Sequence, residues 1–79
     1  MAETEIKVLL ALFDRVNIDM RQIVDLRVLC GDLGIDPEQS PQIQRTLVFN
    51  ELIVGHGGDG ISISRLGIGA ARIYQAQGV

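Results

Sequence analysis

Leu52-Ile53-Val54-Gly55-His56-Gly57-Gly58-Asp59-Gly60-Ile61-Ser62-Ile63-Ser64-Arg65 is the stretch that decides the fold. Leu52 to Val54 is a short run of branched apolar residues, and Ile61 to Ser64 alternates apolar and polar at period two, the spacing of a strand. Four of the six residues from Gly55 to Gly60 are glycine, which gives the backbone the freedom a tight reversal needs. The segment therefore predicts an antiparallel β-hairpin. From Arg65 the period changes. Leu66, Ala70 and Ile73 or Tyr74 recur at helical spacing and predict a last helix over Arg65 to Gln77, with those side chains inward. Gly67 and Gly69 weaken that helix, each by roughly 1 kcal/mol relative to alanine.

Upstream the pattern is helical. Ile6, Leu9, Leu10, Phe13 and Val16 form one apolar face and predict a first helix over Ala2 to Val16. Asn17 and Asp19 break it, with Ile18 a candidate for a short strand. A second helix is expected from Met20, with Asp19 as N-cap and Gln22 at the reciprocal capping position. Ile23, Leu26, Cys30 and Leu33 line its inner face, which Val24, Val28 and Leu29 widen, and Gly34 ends it. Asp36-Pro37-Glu38-Gln39 reads as a loop. Ser40 as N-cap and Pro41 at the first helical position predict a third helix ending near Asn50. Ile43 and Leu47 point inward on it, while Gln42, Arg45 and Phe49 point roughly the opposite way.

These elements sit in 79 residues, enough for one domain over residues 1–79. Hydrophobic residues make up 47% of the chain, too many for a disordered segment. The only aromatics are Phe13, Phe49 and Tyr74, so the core must be aliphatic. Cys30 is the single cysteine, which rules out an internal disulfide and a cysteine-built zinc site. The apolar run Val8 to Phe13 is far shorter than the roughly 20 residues of a membrane span. Acids precede it and no small-residue cleavage site follows it, so it does not read as a signal peptide. A cytoplasmic location is expected. The formal net charge is −3. Residues 1–37 carry four basic and seven acidic side chains, residues 38–79 carry three of each, and no lysine follows Lys7. Nucleic-acid affinity comes largely from neutralising phosphates, which this balance disfavours.

The order helix, helix, helix, hairpin, helix resembles a winged helix-turn-helix domain. Leu33-Gly34-Ile35 resembles the end of helix 2 in such domains, and Leu52-Ile53 the apolar pair that opens the wing, at a spacing similar to that of MarR-type regulators. Ile61 to Gly67 resembles the wing exit, where a strand runs into a helix with glycine three residues on. The resemblance implies an α+β, mostly α domain of three to four helices with a small hairpin wing. It also implies that the third helix enters a DNA groove. Asp36 to Gln39 lengthens the turn before that helix, and Ser40 and Gln44 stand where the family places core residues. The segment Leu26 to Asp36 is also similar to a stretch of small bacterial effector-associated adaptor domains.

The candidate chemistry is sparse. His56, the only histidine, sits in a glycine-rich turn near Asp59, and one His with one Asp cannot close a metal site. The glycines of residues 55–60 lack the Lys-Ser/Thr pair of a phosphate loop. Cys30 lies on an apolar helix face and reads as a small core residue. The scattered acids read as solvated helix faces. No enzyme activity, cofactor or metal is expected. Gln42, Arg45 and Asn50 are residue types that pair with adenine or guanine edges, and His56 and Arg65 would serve from the wing. Val48 and Phe49 are the second candidate surface. Phe49 is either covered by the hairpin or exposed, and an exposed aromatic beside Val48 forms a protein contact. The expected function is a non-catalytic protein–protein interaction or adaptor module, binding another protein or itself as a homodimer. The alternative is a sequence-specific DNA-binding regulator.

Overall fold

The computed structural model describes residues 1–16 and 22–78. They form an α+β, mostly helical domain in the order α1 (Glu3–Val16), β1 (Val24–Asp25), α2 (Leu26–Asp32), a 3-10 turn (Pro37–Gln39), α3 (Ser40–Phe49), β2 (Ile53–Gly55), β3 (Gly60–Ile63) and α4 (Arg65–Ala76). The three strands make one antiparallel sheet with β3 in the middle, flanked by β1 and β2.

Helix α1 carries Glu3 and Glu5 in its first turn and Arg15 in its last, each complementing the helix dipole. Val8, Leu9, Leu12 and Val16 are its buried residues. Ile6, Leu10 and Phe13 are half-buried and edge that face. Helix α1 packs against α4, α3, α2 and β3, so it is the element around which the core is built. Leu26, Leu29 and Cys30 of α2, Ile43 and Leu47 of α3, Leu52 just before β2, Ile53, Ile61 and Ile63 of the sheet, and Ala71 of α4 complete the core.

The second helix starts later than its apolar pattern predicts. The expected cap Asp19, the start at Met20 and the strand candidate Ile18 lie outside the described residues. Gln22 and Ile23 are not helical, and Val24 and Asp25 pair with Ile61 and Gly60 of β3. Pairing with β3 wins over the local helical spacing of Ile23 and Val24. Asp25 then caps α2, its carboxylate accepting from the Val28 N–H at 3.1 Å. Ile23 and Val28, expected inward, are each 57% exposed. The helix ends as Gly34 predicts. Gly34 has φ +73°, and the N–H groups of Gly34 and Ile35 donate to the Gly31 and Cys30 carbonyls, a Schellman closure.

The start of α3 also shifts. Asp36 to Gln39 is not a loop. Asp36 caps the 3-10 turn through the Glu38 N–H at 3.0 Å, with Pro37 at its first position. The turn runs directly into α3, so Ser40 is helical and not an N-cap. Ser40 is fully buried, and among the described residues its hydroxyl has no hydrogen-bond partner.

Helix α4 begins at Ser64, whose hydroxyl accepts from the Gly67 N–H at 3.0 Å. Its buried residues are Gly67 and Ala71, with Ile68, Ala70 and Tyr74 half-buried against the core. Leu66, expected inward, is 58% exposed, and of the two alternatives for the last inward position Tyr74 packs on the core while Ile73 is 59% exposed. The cause is close approach. A β-carbon on Gly67 would lie 2.0 Å from the Leu52 carbonyl oxygen, so only glycine lets α4 reach β2 there.

Candidate functional site

Helix α3 presents Gln42, Arg45 and Phe49 outward, as its wheel predicts. Phe49 is 85% exposed and Val48 43% exposed, so the hairpin does not cover them. The backbone behind them is closed by an unusual cap. Glu51 has φ +62°, a left-handed conformation that costs a side-chain-bearing residue about 1 kcal/mol or more. The Glu51 and Leu52 N–H groups donate to the Val48 and Leu47 carbonyls, completing a Schellman closure in which glycine is usual. The Ser64 hydroxyl donates to the Glu51 carbonyl at 2.6 Å, and the Ser64 N–H to the Leu52 carbonyl at 3.1 Å. These bonds tie the start of α4 to the end of α3.

An open groove of about 430 Å³ lies along this junction. Asn50 and Leu52 form one side, and Leu66, Gly69, Ala70 and Ile73 of α4 form the other. Among the described residues Arg65 is the only charged one lining it. Sequence reading missed this surface, although its signal was present. Leu66, Gly69 and Ile73 recur at i, i+3 and i+7, while Gly67, Ala71 and Tyr74 recur at i, i+4 and i+7 on another face. Both stripes are weakly polar at best, and only one can face the core.

The remaining candidates do not converge. Arg65 is exposed at the base of the hairpin, and His56 is exposed toward its tip. Thus Gln42, Arg45, His56 and Arg65 are all at the surface, but the hairpin separates His56 from Arg65. The tip itself is fastened down: the Leu26 N–H donates to the Asp59 carbonyl at 2.8 Å, and Asp59 is only half-exposed.

The His56 Nε2 lies 2.7 Å from the Ser62 hydroxyl. Ser62 is buried, and among the described residues no carboxylate hydrogen-bonds to the imidazole. The pair therefore lacks the third group that orients a nucleophilic triad. It braces β2 against β3. Cys30 is buried, and burial pushes its thiol above the ordinary value, with Arg27 partly offsetting this. Among the described residues no cluster of three His, Cys, Asp or Glu side chains could hold a metal ion. None of their helices is long and apolar enough to cross a membrane. Comparison with protein-family models, with curated proteins and with solved structures finds no match to this chain.

Proposed function

We propose that the chain is a non-catalytic protein–protein interaction module of winged-helix type, acting as an adaptor in a cytoplasmic setting. The carrying observation is Phe49, a large aromatic left 85% exposed at the end of α3. Full burial of such a side chain stabilises by roughly 1.5–3 kcal/mol, a driving force that remains unused within this chain. Exposed aromatics of this kind anchor protein interfaces. The left-handed Glu51 two residues on adds support, because local strain concentrates at functional positions. The winged-helix reading is supported by the element order and by β1, which joins the hairpin as a third strand.

A second reading, a DNA-binding regulator, draws on Gln42 and Arg45, exposed together on α3, and on Arg65. Among the described residues these arginines make no ion pair and are free to meet phosphate or base edges. The net charge of −3 and the fastened hairpin tip weigh against it.

Two measurements separate the readings. A photo-crosslinking residue at position 49 should capture a partner protein, and the same residue at exposed Gln75 should not. A labelled mixed-sequence duplex, followed by fluorescence anisotropy at low and physiological salt, should show no binding. Duplex binding that weakens steeply with salt, together with no selective capture at position 49, would overturn the module reading in favour of DNA.

A further inference from the structure

We propose that the groove between α4 and the α3–β2 junction receives a short, acidic amphipathic helix of a partner protein. The inference rests on the interaction-module reading and adds the chemistry of the partner.

The groove's apolar wall sets the size of the occupant. Leu66 and Ile73 lie seven residues apart on α4, about 10 Å or two turns at 1.5 Å per residue. Gly69 lies between the two large side chains, with nothing within 4 Å of where a β-carbon would stand. The wall is thus two ridges with a notch, a shape that takes the i, i+3 or i+4, i+7 side chains of a facing helix. A strand would have to extend β2, which is three residues long and has the Gln44 amide packed beside Gly55.

Charge sets the sign of the occupant. Among the described residues no carboxylate lines the groove, and Arg65 does. Arg72 follows seven residues later at nearly the same angle around the helix, so although it does not line the groove it stands on the same side of the apolar stripe as Arg65. Both are exposed, and among the described residues neither has an acidic partner. Carboxylates spaced two turns apart on a facing helix would meet both.

The same charges disfavour a second copy of this chain. Packing α4 on α4 about a two-fold axis would set Leu66 against Ile73 of the other copy. It would also bring Arg65 level with Arg72 of the other copy on one edge, twice over. Like charges held together in this way repel.

The test uses the isotope-labelled full chain and two synthetic helical peptides. Both carry leucines at i, i+3 and i+7; glutamates flank them in one peptide and lysines in the other. The acidic peptide should bind saturably and shift the backbone amides of Leu52, Leu66, Gly69 and Ile73. The double substitution Arg65→Glu with Arg72→Glu should weaken it roughly tenfold and make the lysine peptide the better ligand. Its unfolding midpoint should stay near that of the unaltered chain, since both positions are exposed. Equal or tighter binding of the lysine peptide to the unaltered chain, shifts confined to another face, or no binding of either peptide would overturn the proposal. Selective protein capture at position 49 alongside any of those results would leave the module reading standing and remove only the acidic helix. Loss of both would remove the two together.

Discussion

Gly67→Ala should destabilise the domain severely, and Gly69→Ala, two residues along the same helix, should stabilise it. Helix propensity alone predicts that both gain up to about 1 kcal/mol. The packing separates them. A β-carbon at position 67 would stand 2.0 Å from the Leu52 oxygen, 3.0 Å from the Leu52 carbonyl carbon and 2.8 Å from the Ile63 Cγ1. Ordinary carbon–oxygen contact begins at about 3.3 Å, so the helix must retreat by roughly 1 Å. The obstructing atoms are mostly backbone and cannot rotate aside. Retreat loosens Ala71 against the core and stretches the Ser64 bonds to Glu51 and Leu52. Overpacking of this kind costs about 1–3 kcal/mol, and weakening the Ser64 hydrogen bonds to Glu51 and Leu52 about 1 kcal/mol more. Set against the propensity gain, the net loss is about 2 kcal/mol, which lowers the melting temperature of a domain this size by roughly 8–16 °C. Position 69 meets nothing within 4 Å, so its alanine should raise the midpoint by roughly 4–8 °C. Thermal unfolding followed by far-ultraviolet circular dichroism reads both. A Gly67→Ala midpoint at or above that of the unaltered chain would refute the close approach of α4 to β2.

Ser40→Ala should leave stability unchanged or raise it by up to about 1 kcal/mol, because it removes a buried hydroxyl without a partner, whereas Asp36→Ala should cost about 1 kcal/mol as a lost cap. Urea denaturation of the two variants distinguishes this assignment from one with Ser40 as the cap. Glu51→Gly should stabilise by about 1 kcal/mol, relieving the left-handed strain at φ +62°; a loss in the same assay would show that the Glu51 side chain contributes something else. The Cys30 thiol, raised by burial, contributes stability below its unfolded pKa that is lost as pH rises through the higher folded value. Urea midpoints should therefore fall on the alkaline side more steeply for the unaltered chain than for Cys30→Ala, and equal slopes would exclude this linkage. Leu66→Gln with Ile73→Gln should change stability by less than about 1 kcal/mol, since both side chains are more than half exposed; a larger loss in thermal unfolding would make that stripe structural.

The parts of the fold that were legible are those in which one local signal stands without a competitor. The Ile43–Leu47 face of α3, the glycine-rich reversal between β2 and β3 and the Gly34 stop all read directly from residue type and spacing. On α1 the helix was legible but its face was not: the expected stripe through Ile6, Leu10 and Phe13 is half-buried, and Val8 and Leu12 beside it are fully buried, because in a run apolar from Val8 to Phe13 the period does not choose between neighbouring stripes. The shifted boundaries are those where two signals compete. Asp36-Pro37 and Ser40-Pro41 are both cap-and-proline pairs, and the upstream pair starts the turn that runs into α3. Val24-Asp25 carries no period of its own because two residues cannot show one. Its strand state comes from Gly60 and Ile61, distant in sequence.

The groove illustrates the same limit at a functional surface. On α4 a hydrophobic pattern favours Leu66 and Ile73 as the inward pair because they are large. The packing selects Gly67 and Ala71 because they are small, and smallness lets the helix axis come close enough to share hydrogen bonds at Ser64 with Glu51 and Leu52. Helical geometry then turns Leu66 and Ile73 toward solvent, since a residue facing the core at 67 carries 66 and 73 away from it. The exposed apolar stripe is therefore a consequence of the same close contact that holds the fold together. Phe49 follows a related rule. With Ile43 and Leu47 committed to the core, a side chain two positions after Leu47 lies on the far side of α3, where only the hairpin could cover it. The hairpin instead bends its tip onto the start of α2 through Asp59, and Phe49 is left uncovered.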